Sequence, residues 1–160
     1  MSTRSKQRPI KRRAKARGVV REPVAKYGSS TLLSKQHLPT KKMIEQISKG
    51  LSYGELEHLR HEIDEPMDSL ARQLSISRST LQRRRAERRL SPEESDRVMR
   101  FWKIIRYAVK LFGNIERARA WLKYPQFGLG GAVPLEFAKT EVGAREVEDL
   151  LGRIDYGVYS

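Results

Sequence analysis

The sequence predicts an all-α protein, and three observations carry that prediction. Apolar residues recur at i, i+3, i+4 and i+7 in short stretches, as with Val147, Leu150, Leu151 and Ile154. Helix start and stop signals punctuate the chain, with Ser91-Pro92-Glu93-Glu94 opening one helix and Gly113 closing it. That helix is apolar over so much of its circumference that other helices must cover it on two sides. The plan that follows is a basic arm over residues 1–30, a helical region over 41–112 and a smaller helical module over 113–160.

The arm has almost nothing to bury. Residues 1–26 hold ten Lys/Arg against the single acid Glu22, a net of +9 within a chain total of +14. Such a segment cannot offset its own conformational entropy, so it reads as disordered in isolation. It is either a basic arm for DNA phosphates or a solubilising tail. Residues 114–160, by contrast, hold six Lys/Arg against seven Asp/Glu, a net of −1. A chain basic in front and balanced behind suits a polyanion at one end and a different partner at the other, because only the former gains from counterion release.

Structure is expected to begin near Thr40, a cap for a helix carrying Met43, Ile44 and Ile47 and ended by Gly50. Ser52 and Glu55 have the spacing of a capping box for a second helix with Leu56, Leu59 and Ile63 on one face, and Pro66 closes it or starts the next. His58 and His61 on this helix converge at i, i+3. Spacing supplies no third ligand, so a solvated polar face is the better reading than a zinc site.

Residues 67–85 have the spacing of a helix-turn-helix. Leu70 and Leu74 face inward, small Ala71 permits a close crossing, Ile76 plugs the turn and Leu81 anchors the second helix, which Ser77 caps. Positions left facing outward near its start are Ser77, Arg78, Ser79, Gln82 and Arg83, with Thr80 and Arg84 beside them. Arg suits guanine and Gln suits adenine in bidentate pairs, whereas Ser and Thr more often meet phosphate. These seven residues are the expected DNA contacts; the competing reading is a helical hairpin with solvated arginines. Arg85 stands where an apolar residue is expected, which predicts a weaker anchor at that end.

The long helix over 92–112 carries Val98, Trp102, Ile105, Val109 and Phe112 on one stripe and Phe101, Ile104, Ala108 and Leu111 beside it. One side suits the helix-turn-helix; the other suits the C-terminal module or a second copy in a homodimer. Asn114 then caps a helix with Ile115, Ala118, Trp121 and Leu122, the loop Gly128-Leu129-Gly130-Gly131 follows, Pro134 opens a short helix, and the last helix follows Gly143.

Several function classes are set aside. Absence of cysteine removes thiolate metal sites and thiol nucleophiles, and three histidines without a spaced carboxylate pair offer no catalytic triad, so no enzyme, metal or cofactor is expected. No window approaches the roughly 18 apolar residues of a membrane span, and the N-terminus lacks a signal-peptide apolar region, which predicts a cytoplasmic protein with no membrane partner.

The order Ala120-Trp121-Leu122, Pro125, Leu129-Gly130-Gly131, Pro134-Leu135-Glu136, Thr140-Glu141, Gly143 to Glu148, Leu150-Leu151, Arg153-Ile154 and Tyr156-Gly157-Val158-Tyr159-Ser160 is not one that generic folding requires. It resembles the toxin-binding domain of the Xre/MbcA/ParS antitoxins, small bacterial proteins that neutralise toxins carrying a RES domain. With the helix-turn-helix the resemblance spans about residues 41–160. It implies an antitoxin of a type II toxin–antitoxin pair that represses its own operon at operator DNA. The toxin would degrade NAD or transfer ADP-ribose from it, and this chain would occlude the toxin's active site without chemistry of its own.

Toxin contacts are then expected from Trp121, Leu122, Pro125, Leu129, Gly130, Arg153, Tyr156, Gly157, Val158 and Tyr159. The final five residues are the expected inhibitory element, unless they fold back on the core. Arg153 either occupies the place of a nicotinamide cation or pairs with a toxin carboxylate. The loop Pro125-Gln126-Phe127-Gly128 departs from the Pro-Asn and small residue expected there. The alternative to this whole reading is a stand-alone helix-turn-helix regulator whose C-terminal module dimerises.

Overall fold

In a computed structural model, residues 40–157 are described; the arm, Val158 and Tyr159 lie outside them. Eight α-helices follow in order: α1 Thr40–Lys49, α2 Tyr53–Ile63, α3 Met67–Gln73, α4 Arg78–Glu87, α5 Pro92–Phe112, α6 Ile115–Lys123, α7 Pro134–Phe137 and α8 Glu141–Asp155, with one 3-10 turn at Phe127–Leu129. The fold is all-α, with no strand among the described residues.

Helix α5 organises the rest. Ser91 Oγ accepts from Glu94 N and Glu94 Oε2 accepts from Ser91 N, a complete capping box, while Pro92 occupies the first turn where its missing N–H costs nothing. Val98, Phe101, Trp102, Ile104, Ile105 and Ala108 are all buried. Helices α1, α2, α6 and α8 all pack against α5. Withdrawing such large apolar side chains from water contributes roughly 1.5–3 kcal/mol each. Because one helix supplies core residues to both layers, the helix-turn-helix and the C-terminal helices fold around a shared core.

The front layer is closed by backbone pairing. Leu90 N donates to Leu51 O at 2.9 Å, Tyr53 N donates to Arg88 O at 3.0 Å, and Leu51 N donates to Ser95 Oγ at 2.8 Å. Gly50 has φ +81°, and a Cβ there would stand 2.1 Å from Leu90 O, so only glycine permits this approach. Arg89 Nη1 donates to the carbonyls of Lys49 and Gly50, satisfying the last turn of α1 with a cation.

Three local expectations are corrected. Ser52 is the N-cap of α2 but its side chain makes no cap bond, and its backbone stands in an antiparallel bridge with Arg89. Ile44 is exposed, since α1 rests on α5 through its Met43 and Ile47 side. Helix α8 starts two residues before Gly143, with Thr140 Oγ1 accepting from Gly143 N at 3.0 Å. Gly143 therefore sits inside the first turn, where a Cβ would lie 1.9 Å from Phe137 O.

Polar bonds also tie the two layers. Helix α6 supplies donors to the last carbonyls at the end of α2: Arg119 donates to Glu62 O at 2.6 Å and to His61 O at 2.9 Å, the latter also accepting from Asp64 N, and Lys123 Nζ donates to Asp64 O at 2.6 Å. Gln73 on α3 donates to Glu136 on α7 at 3.2 Å. Two cations four residues apart on α6 thus cap a helix some sixty residues earlier.

Candidate nucleic-acid and partner interfaces

At the turn between α3 and α4, Ile76 is buried and its N–H donates to Ala71 O at 2.8 Å, while Ser75 takes φ +55° to reverse the chain. Leu70, Ala71, Leu74 and Leu81 are buried around it. Ser77 Oγ accepts from Thr80 N at 3.2 Å, capping α4. Ser77, Arg78, Ser79, Gln82 and Arg83 are exposed, and Thr80 is half-buried with its hydroxyl bonded to Ser77 Oγ. Arg78 reaches Asp68 at 3.4 Å and Arg83 reaches Glu87 at 3.9 Å, but these exposed pairs are weak enough to exchange for phosphate or base.

Arg84 is placed differently from its neighbours. Its side chain is only 18% exposed, with Nε donating to Glu94 Oε2 and Nη1 to Glu87 Oε2, both at 2.7 Å. Hydrogen bonding to Glu94, then to Glu87, holds its pKa above the ordinary guanidinium value, so the charge is permanent. The same Glu94 oxygen accepts from Ser91 N, which joins α4 to the cap of α5. This corrects two expectations. Arg84 points inward rather than out, and the end of α4, whose one buried side chain is Leu81, is anchored by an ion pair despite Arg85.

The C-terminal end divides in the same way. Asn114 Oδ1 caps α6 by accepting from Arg117 N, and Trp121 packs against Phe112 with ring centroids 5.7 Å apart. Leu122 and Leu129 are buried core residues, so of the expected toxin contacts these two are corrected to structural roles. Pro125 and Gly130 are exposed, as is Arg153. Tyr156 is 84% exposed, and Gly157 follows with φ +69°, its N–H donating to Ile154 O at 3.1 Å. Beneath Tyr156 lies Tyr107 of α5, whose phenol pKa is raised by burial and then by the Asp155 charge. Phe127 and Tyr124, 93% and 68% exposed, were absent from the expected contacts. Both lie beyond Lys123, the last residue of α6, where helical periodicity no longer ranks positions.

No three His, Asp or Glu side chains among the described residues group closely enough to hold a metal ion, and His61 Nε2 meets the Arg60 guanidinium at 3.0 Å. No described helix is long and apolar enough to cross a membrane.

Two family models match: residues 42–101 match the antitoxin Xre-like helix-turn-helix domain, and residues 108–157 match the antitoxin Xre/MbcA/ParS C-terminal toxin-binding domain. An Antitoxin Xre of Yersinia enterocolitica is 37% identical over 120 residues, which is 74% of this chain and 81% of that protein. The chain belongs to the Xre/MbcA/ParS antitoxin family. An Antitoxin Xre of Photorhabdus laumondii is 40% identical over 73 residues, 45% of this chain and 49% of that protein, and one of Pseudomonas putida is 34% identical over 68 residues, 42% and 43%. As an antitoxin of this family it is a regulatory protein with a helix-turn-helix for DNA and a toxin as partner. One matched segment ends and the other begins inside α5, the helix that both layers share, with residues 102–107 between them.

Proposed function

We propose that this antitoxin neutralises a RES-domain toxin, one that consumes NAD or transfers ADP-ribose from it, by occluding the toxin's active site with the end of its chain. The observation that carries this reading is the geometry at the end of α8. Arg153 and Tyr156 are exposed there, and Gly157 takes a left-handed conformation that ends the helix. An aromatic side chain leaving a rigid helix brings large apolar area, little entropy to lose and a hydroxyl to pair. Truncation after Asp155 tests it. The shortened protein should keep its helical circular dichroism and its operator affinity yet leave cells unprotected from the toxin; full protection would reject occlusion by the tail.

The same reading has the antitoxin repress its own operon in the bacterial cytoplasm, with Arg78, Gln82 and Arg83 reading base edges and Ser77, Ser79 and Thr80 near phosphates. Palindromic operators ask for two-fold protein symmetry, so a homodimer belongs to it. The apolar faces of α5 are largely spent on intramolecular packing. A second copy would therefore sit on the groove of about 900 Å³ beside α5, where Met43, Met99 and Tyr107 are framed by Arg100, Lys103 and Arg106. Light scattering at tens of micromolar, without DNA or toxin, should give twice the chain mass; a monomer would reject the dimer.

A further inference from the structure

We propose that Phe127, with Tyr124 beside it, is the aromatic anchor by which this antitoxin grips its toxin, a second contact separate from the tail. The proposal rests on the reading that the C-terminal module meets the toxin directly. Phe127 is 93% exposed, and no packing within the fold accounts for a side chain so apolar standing in water.

Its backbone is nevertheless built with care. Gln126 N donates to Ala132 O at 3.0 Å, Gly131 N to Gln126 O at 3.0 Å and Gly130 N to Phe127 O at 2.9 Å. Gln126 Nε2 donates to both Trp121 O and Tyr124 O at 2.9 Å, which locks the turn to the end of α6. Leu129 is buried at the other side of the turn. A fixed backbone presenting one free aromatic ring is pre-organised for a partner's apolar pocket, because little main-chain entropy remains to be lost on binding.

The position of the turn names the occupant. Gly128 lies against Leu150 of α8, so the turn is seated on the half of that helix that leads to Arg153 and Tyr156. Six residues separate Leu150 from Tyr156, on the order of 9 Å along the axis, within the span of one protein interface. Residues 114–160 carry a net charge of −1, which disfavours a polyanion there, and the whole turn falls inside the segment matched to a toxin-binding domain. A toxin held by the tail would thus be gripped at Phe127 as well.

The test measures affinity of the full chain for the product of the adjacent toxin gene by calorimetry. Phe127→Ala should weaken binding by roughly 30-fold or more, the range of an interface hot spot. Phe127→Trp should stay within a few fold of the parent. Circular dichroism, thermal midpoint and operator affinity should not move in either variant, since the ring contacts nothing in the core. If the parent chain binds and truncation after Asp155 weakens it, but Phe127→Ala binds like the parent, the anchor is overturned and the reading beneath it stands. A parent chain that binds no toxin overturns both. If Phe127→Ala converts a dimer into a monomer with toxin affinity intact, the occupant is a second copy and the proposal is wrong.

Discussion

Helices α4 and α8 are of similar importance to the proposed function and are held in opposite ways. Helix α8 is secured by apolar burial, with Val147, Leu150 and Leu151 pressed into the core and Ala144 beneath its first turn. Helix α4 has one buried side chain, Leu81, and is secured by Arg84 bridging Glu94 and Glu87. A ten-residue helix on which Arg78, Gln82, Arg83 and Arg85 all stand exposed has few positions left for the core. An inward-facing cation solves this: it anchors the helix without reversing the sign of its face. The cost is directional, because a guanidinium pair fixes one geometry, whereas apolar packing tolerates small shifts.

The largest expected effect comes from breaking that pair. Glu94 has a side chain only 6% exposed and Arg84 one 18% exposed, so Glu94→Ala leaves a little-hydrated cation with Glu87 alone and removes the carboxylate half of the α5 capping box. Loss of one partner of a buried pair costs roughly 3–5 kcal/mol, and Glu87, which still holds Arg84, puts this loss at the lower end of that range. Urea unfolding should register that, and operator affinity measured far below the melting point should fall as well. Leu151→Ala sharpens the contrast. It should cost roughly 2–5 kcal/mol for a fully buried leucine, yet leave operator affinity unchanged in the folded protein. If both variants weaken DNA binding equally, α4 and α8 are not held independently and the comparison fails.

A smaller effect on the fold, though not on binding, is expected at the outward face of α4. Arg78→Ala with Arg83→Ala should leave the melting temperature within a degree or two, since both are exposed. Loss of about 1–3 kcal/mol of base discrimination per bidentate pair should flatten preference among related operator sequences in a gel-shift titration at fixed salt. Unchanged preference would move base reading elsewhere.

The smallest effect lies at the joint between the layers. Glu136 donates no proton and accepts from Lys139 and then Gln73, which hold its pKa below the ordinary carboxylate value. A depressed folded pKa means the contribution is present above the unfolded pKa and lost as pH falls through the folded one. Because the carboxylate is about half exposed, the contribution is small. Glu136→Gln should lower the melting temperature slightly at neutral pH, and the gap to the parent should close in acid; a gap that persists in acid would mean lost packing instead of lost charge.

Where residues interact with near neighbours, the sequence was enough. Caps at Ser77, Ser91 and Asn114 were legible because the bond spans three residues, and Leu70, Ala71, Leu74, Ile76 and Leu81 were legible because a helix-turn-helix repeats one local geometry. Ser52 shows the limit: its spacing to Glu55 was right for a capping box, yet its side chain makes no cap bond, and local spacing gave no sign of the backbone bridge to Arg89, distant in sequence. Local rules state what a residue can do, and tertiary neighbours decide which option is used.

By itself, then, the chain's order of residues determined its helical class, its caps at Ser77, Ser91 and Asn114, the turn before α4 and the basic-to-balanced charge gradient, all consequences of local spacing and of composition. Only the tertiary structure decided that Arg84 faces Glu94 and not solvent, that Leu122 and Leu129 are core, that Phe127 stands outside it, and that Arg119 and Lys123 cap the end of α2. The physical reason is common to all four. Helical periodicity ranks positions by face, but whether a face is covered, and by which charge, depends on segments brought together from elsewhere in the chain.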